Sequence, residues 1–500
     1  MKAYDIILKG AGITLIGLIF SKLISYITTI IIARIGSTEY GLLTLGLTVI
    51  SFIAMVSLLG LHGGVLRYVP YYIGKGDLPR IKGTILSSLR LSLIIGFIAM
   101  ILVLLFAKNI SISIFNKPEL VNVIIILAFM IPFIIIIEIF SAVFLSFKKI
   151  EYKVSIRDIG EKIVRLLLVI LFISLGFGLI GAVYAYLLTA VLVFILLLYF
   201  ATKKEFQIFN KKIKPRFNAK ELLIYSIPLI ITSLLTLLEK WAGTFIIGFY
   251  RSASEVGIYN IVFSTAALLA IIPTALMSLF IPVITSLYGQ NKIKYVKKIS
   301  NSITKWIFMA SIPLTAILII FSRDILKIIF GKEYTIGYIA LMILAVSYLI
   351  LSITHIYGSN LLMVKKSKLL SYIVFISTLT NIGLNIILVP KFGINGAASA
   401  ALISTSIFLI LVAISSWFIL KLQPLKLILL KSILAGVLSA IIIFFIYKVV
   451  TINIFTLIVL SLLMSLIYIA FLIILKSFSK EDLGIINRFK ENLTNVLKRK

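Results

Sequence analysis

Apolar runs of about twenty residues recur from Gly12 to Leu475, each closed by a short polar or basic turn. Roughly 20 apolar residues in a helix span the hydrocarbon of a bilayer. The runs predict fourteen spans, near 12–33, 41–62, 84–107, 119–146, 158–177, 180–202, 222–249, 256–287, 301–321, 336–363, 369–389, 394–420, 426–447 and 453–475. The short, alternating segments of a membrane barrel do not occur. The expected fold class is therefore an all-α integral membrane protein of about 14 transmembrane helices.

Composition agrees, since 61% of the 500 residues are hydrophobic and 13% are charged. The net charge of +32 would suit nucleic acid, but its placement points elsewhere. Most Lys and Arg lie at the N-terminus, in the even-numbered loops and in the tail, and few lie in the odd-numbered loops. That is the positive-inside pattern. It predicts a multi-pass protein of the cytoplasmic membrane with both termini cytosolic, affinity for anionic membrane lipids, and no nucleic-acid partner. The opening MKAYDIILKGAGITLIGLIF lacks a small-residue cleavage site and reads as the first permanent span. With no cysteine, disulfides and thiolate metal sites are excluded.

The chain reads as a duplication. TTIIIARIGSTEYGL (28–42) matches TFIIGFYRSASEVGI (244–258), and GFGLIGAVYAYLL (176–188) matches KFGINGAASAALI (391–403). Lys148-Lys149 and Lys365-Lys366 form a third pair in the same order, and all three offsets lie between 215 and 217. A unit of six spans enters the membrane the same way twice, which gives parallel repeats. The expected organisation is an N-terminal six-helix lobe (1–202), a basic cytosolic linker (203–220), a C-terminal six-helix lobe (221–420), two extra spans (421–478) and a tail (479–500). The linker carries seven basic residues and one acid. In the tail, Leu483, Ile486, Phe489, Leu493 and Leu497 keep helical spacing behind a Ser479–Asp482 capping box, so the segment reads as an amphipathic surface helix.

Charge inside a span is costly and marks function. Arg67, Arg90 and Lys305 lie near span ends, where long side chains snorkel. RDIGEKIVR (157–165) spaces Arg157–Glu161, Asp158–Lys162 and Glu161–Arg165 four apart. It reads either as a self-satisfied ladder or as a cavity wall, with Arg165 deepest. Lys22 stands mid-span with Ser25, Tyr26 and Thr29 on its side. Glu239 and Lys240 stand mid-span in the repeat-related seventh span, on strips shared with Thr232, Thr236, Ser233 and Thr244. Glu138 maps to His355 at offset 217. Neighbours on a helix diverge by about 100°, so Glu239 and Lys240 need separate partners or a common wet space. Two arrangements stand: a buried Lys22–Glu239 pair joining the halves, or a hydrated central cavity. The substrate-cavity candidates are Lys22, Tyr26, Arg67, Arg90, Arg165 and Lys240; the ion-coupling candidates are Glu138, Glu239 and His355.

No Walker motif occurs, GAGITLIG follows no strand, and the two histidines, His62 and His355, have no ligand pattern around them. A lone histidine of this kind reads as a satisfied polar residue. No catalytic residue, metal or cofactor is expected, and short loops argue against an enzyme.

ARIGSTEYGLLTLGLTVISFIAMVSLLGLHGGVLRYVPYYIGKGD (33–77), with its GSTEYG turn, Gly60-Leu61 and Arg67-Tyr68, and the later FGINGAASAALIS (392–404) resemble polysaccharide, or oligosaccharide-lipid, flippases of the multidrug/oligosaccharidyl-lipid/polysaccharide exporter superfamily. The resemblance covers the whole chain. It implies alternating access through a cationic cavity that flips a polyprenyl phosphate- or pyrophosphate-linked oligosaccharide for cell-surface glycan synthesis, alongside glycosyltransferases of the same pathway. Lys22 and Lys240, then Arg67, Arg90 and Arg165, would supply the positive charge. Spans 13 and 14 would offer a groove for the lipid tail. The alternatives are a drug/cation antiporter, which would want carboxylates in spans 1 or 7, and a non-transporting envelope scaffold.

Overall fold

Residues 2–202, 206, 210, 212–421 and 427–477 are described by a computed structural model, with side chains throughout except at 2–16, 231, 232, 279, 282 and 427–429. The tail helix expected over 479–500, the Thr232 side chain and much of 203–211 lie outside the described residues.

The helices are α1 (Lys2–Ala33), α2 (Ser37–Ser57), α3 (Leu61–Gly74), α4 (Leu78–Lys108), α5 (Leu120–Ala128), α6 (Met130–Ser146), α7 (Ile150–Tyr152), α8 (Glu161–Ser174) and α9 (Gly178–Ala201). They continue with α10 (Ala219–Tyr250), α11 (Ala253–Ala266), α12 (Ile271–Gly289), α13 (Ile293–Ile320), α14 (Ser322–Ile329), α15 (Tyr338–Met363), α16 (Ser367–Leu420), α17 (Leu427–Val449) and α18 (Ile454–Ile474). All fourteen expected spans fall on helical segments, but by length and hydropathy the described residues hold 10 spans, or 11 if the bent pair α5–α6 is one. The difference has two physical sources beside α1, of which only Gly17–Ala33 is counted. α8 has only 14 residues because a π-helical stretch, Lys153–Gly160, precedes it. α16 counts once although it folds back at Gly393, whose φ of 55° is open to glycine and strained for other residues.

The breaks reproduce the duplication. Lys148 and Lys365 both take φ 60°. Each N–H donates to the carbonyl three residues back, Leu145 and Leu362, and the next N–H, of Lys149 or Lys366, donates to Phe144 or Leu361 at 2.9 Å. Both turns are thus helix ends of one left-handed type. Gly178 and Gly393 likewise share positive φ, 51° and 55°. α4 starts at Asp77, whose carboxylate accepts from the Arg80 N–H at 3.0 Å, with proline in the first turn.

The chain groups into two compact units. One comprises Met1–Ser264 with Val374–Ala401, the other Thr265–Ile373 with Leu402–Lys500. This grouping does not follow the 202/221 boundary between the expected lobes, because α10 packs on α2 and α3 inside the first unit. There α2 is the central helix, buried against α4, α5, α6 and α9. The end of the linker docks on α4. Lys82 Nζ donates to the carbonyls of Asn210 (2.6 Å) and Ile213 (3.1 Å), and the Arg216 N–H donates to Pro79 O at 2.9 Å. In the second unit α13 packs against α15, α17 and α18 around Phe308, Tyr357, Val412, Tyr468 and Leu472. A further apolar cluster joins Phe321, Ile443 and Met464, where the Tyr447 hydroxyl donates to Asp324 at 2.8 Å.

Candidate functional site

Lys240 lies ten residues, ~15 Å, before the end of α10, and Lys22 eleven residues, ~16 Å, before the end of α1. Both therefore sit near the middle of a layer ~30 Å thick. They approach closely enough for one ammonium to feel the other's charge. Among the described residues neither makes an ion pair. Lys240 Nζ lies 4.8 Å from the centre of the Trp241 ring. Beyond Trp241, on the side of α10 away from Lys240, Phe52, Leu238, Phe245 and Ile386 line an apolar pocket of about 270 Å³. Glu239 is exposed, with no ion-pair partner among the described residues. The Lys22–Glu239 pair that the sequence allows is thus not made; the charge that acts on Lys240 is that of Lys22.

Tyr26, one turn after Lys22, comes near Tyr40, which is buried among Tyr186, Thr29 and Ser264. The Tyr186 ring in turn lies 4.3 Å from the Arg165 guanidinium. A polar path therefore leads from Arg165 on α8, through Tyr186 and Tyr40, to the face of α1 that carries Tyr26. Tyr40 and Tyr186 escaped sequence reasoning, because a tyrosine in an apolar run carries no charge signal. Both do stand inside the repeated segments, GSTEYG and GAVYAYLL.

The 157–165 ladder is redrawn. Only Glu161–Arg165 survives, as a close pair, with Lys162 also on Glu161 at 2.7 Å. Arg157 pairs closely with Glu138 of α6 instead. Asp158 pairs with Lys153, five residues back, at 3.1 Å. The cause is the π-helical turn, which brings residues five apart onto one face. His62, on α3, lies beside the Glu138–Arg157 pair, and its buried Nδ1 has no partner among the described residues. It is therefore not the satisfied polar residue that the sequence suggests.

Arg67 and Arg90 sit elsewhere. The Arg67 guanidinium stacks 4.6 Å from the Tyr225 ring, and Arg90 4.8 Å from Phe217. Tyr225 precedes Lys240 by fifteen residues, ~22 Å along α10. The structure thus gathers these two arginines at the linker end of α10, away from Lys22 and Lys240. His355, on α15, is exposed.

A second cluster occupies the ends of the helices that face the odd-numbered loops. Buried Lys117 donates to the carbonyls of Phe115 (2.9 Å), Gly248 (2.6 Å) and Arg251 (2.8 Å), closing the C-terminal end of α10. Arg251 donates from Nε to Val389 O (3.2 Å) and from Nη2 to Pro390 O (2.8 Å), at the break of α16. Among the described residues no group of three or more His, Asp or Glu side chains could hold a metal ion.

A family model described as "Polysaccharide biosynthesis protein" matches residues 7–288, and one described as "MatE" matches 228–387. A Haloferax volcanii protein named as a probable low-salt glycan biosynthesis flippase is 32% identical over 214 residues, 42% of this chain and 45% of that protein. The match thus spans less than half of that relative. An uncharacterized membrane protein of Methanocaldococcus jannaschii is 27% identical over 448 residues, 83% of this chain and 84% of its own. Among solved structures, the lipid II flippase MurJ in an inward closed conformation aligns with TM-score 0.73 at 19% identity, over 91% of this chain and 97% of its own. An inward-facing multidrug resistance transporter of the MATE family aligns with TM-score 0.70 at 17% identity, over 80% and 94%. These two show the fold.

Proposed function

The chain belongs to the polysaccharide biosynthesis protein family, and on that premise we propose that it flips a polyprenyl phosphate- or pyrophosphate-linked oligosaccharide across the cytoplasmic membrane by alternating access. The observation that carries this reading is the pair Lys22 and Lys240, two like charges at one depth with no protein carboxylate between them. Such a pair is unfavourable by itself and becomes favourable when an anion with several acceptor oxygens enters. A phosphate or pyrophosphate head is such an anion. The apolar pocket beyond Trp241 suits an amphipathic ligand better than a free sugar phosphate. Arg165, reached through Tyr186 and Tyr40, lies on the same side, its charge shared with Glu161. Arg67 and Arg90 serve a different step, the approach of the anionic head group at the linker end of α10.

Names of relatives support transport of a glycan carrier: the Haloferax protein is named a flippase, and so is the lipid II transporter that shares the fold. Transport, not catalysis, fits them. The antiporter reading would use Glu239, the one mid-span carboxylate left without an ion pair among the described residues.

The deciding experiment reconstitutes the protein in liposomes and follows a polyprenyl-pyrophosphate oligosaccharide between leaflets. Losing a charge-assisted contact costs about 1.5–3 kcal/mol, so Lys22→Ala and Lys240→Ala should each slow movement by about ten- to a hundredfold while the protein stays folded. Proton- or sodium-driven efflux of organic cations, with no lipid movement, would establish the antiporter instead.

A further inference from the structure

At the ends of α2 and α11 the two copies of the repeated turn meet each other. A Cβ on Gly41 would lie 1.8 Å from the Ala253 carbonyl oxygen, and one on Gly257 would lie 2.0 Å from that of Ser37. The contact is reciprocal: Gly41 and Gly257 are 216 apart, as are Ser37 and Ala253. Each helix presents small residues four apart, Ser37 and Gly41 on α2 and Ala253 and Gly257 on α11. That spacing lets membrane helices touch backbone to backbone. The Ser37 and Ser254 hydroxyls are 2.8 Å apart and share a hydrogen bond across the crossing. On one side opens a pocket of about 980 Å³ lined by Glu39, Lys117, Arg251 and Glu255. On the other, Thr244 and Asn260 are hydrogen-bonded at 3.1 Å, one turn of α10 from Lys240.

We infer that the Gly41–Gly257 crossing is the seal that closes the substrate site from the face of the odd-numbered loops, and that it parts in each transport cycle. This rests on the transport reading above. Three features make the contact separable. At the two glycines backbone meets backbone, with no side chain between them. The hydrogen bond between the Ser37 and Ser254 hydroxyls is neutral, worth only about 0.5–1.5 kcal/mol net. The contact also borders a pocket that already holds polar groups. Lys117 is the positioning residue: by holding the carbonyls of Gly248 and Arg251 it fixes the α10–α11 corner from which the Gly257 strip hangs.

The chain has no cysteine, so the test needs no prior substitution. In Ser37→Cys/Ser254→Cys, oxidation should abolish lipid movement and a reductant should restore it; equal rates in both states would overturn the inference. Accessibility gives a readout that does not depend on the substrate. A Lys240→Cys reporter, treated from the odd-loop face with a membrane-impermeant maleimide, should label poorly. Labelling should rise when Gly257→Leu is added, because the larger side chain wedges the helices apart. Unchanged labelling in a folded Gly257→Leu protein would also overturn it. Should Gly257→Leu fail to fold, oxidation of the serine-site pair decides. If labelling responds as expected while no offered lipid moves, the seal stands and the substrate assignment falls.

Discussion

Lys22 and Lys240 sit at one depth with nothing of opposite charge between them, whereas a few helices away the same chain satisfies Arg157 and Arg165 with carboxylates. The contrast separates two uses of charge within the spans. Glu138 and Arg157 form an internal pair about a quarter exposed, 27% and 26%. Removing one partner strands the other. Glu138→Gln or Arg157→Ala should each lower stability by about 1–3 kcal/mol in thermal unfolding, below the cost of a fully buried pair. The double variant should lose less than the sum, and strict additivity would disprove the pairing. Lys22→Ala, by contrast, removes a repulsion and should leave unfolding unchanged or shift it upward. At this scale the sequence was partly legible. It marked Lys22, Glu138, Arg165, Glu239 and Lys240 by depth alone, since charge in an apolar run is conspicuous. It did not reveal that Arg157 reaches across to Glu138, because i, i+4 spacing assumes 3.6 residues per turn and 153–160 does not keep it.

Among the elements, the spans were the most legible part, because burial in lipid selects composition directly. Their ends were less so. Lys148 and Lys365 both adopt φ 60°, a conformation that costs a residue with a Cβ about 1–2 kcal/mol. Lys148→Gly and Lys365→Gly should therefore each raise stability, by roughly 0.5–1 kcal/mol after the extra freedom of glycine in the unfolded chain is counted. Thermal unfolding of the two single variants checks this; a loss at either site would mean that the lysine side chain matters more than the backbone. The paired Lys-Lys motif was visible in the sequence as a repeat marker. Its geometric meaning was not, since lysine is not the residue a left-handed turn ordinarily selects.

For the molecule as a whole, charge placement predicts sidedness. Cysteines introduced at Asn210 and Lys368, in even-numbered loops, should label from one face of a sealed vesicle. Those at Glu333 and Thr451, in odd-numbered loops, should label from the other. Labelling of all four from one face would refute the fourteen-span topology. The duplication was legible because turns keep their residues: Gly41 with Gly257, Gly178 with Gly393. The grouping of α10 and α11 with the first unit was not. Hydropathy reports that a surface is apolar, without saying whether lipid or another helix covers it.

Arg251 has a mechanical consequence. It stands one residue beyond α10 and grips the carbonyls of Val389 and Pro390, three or four residues before the glycine at which α16 doubles back. The corner and the fold-back are linked in series, as a crank is to its rod. A displacement that pulls the α10–α11 corner outward must either break this grip or carry the bend of α16 along with it. The single side chain thereby converts a local parting of two helices into a load on a third.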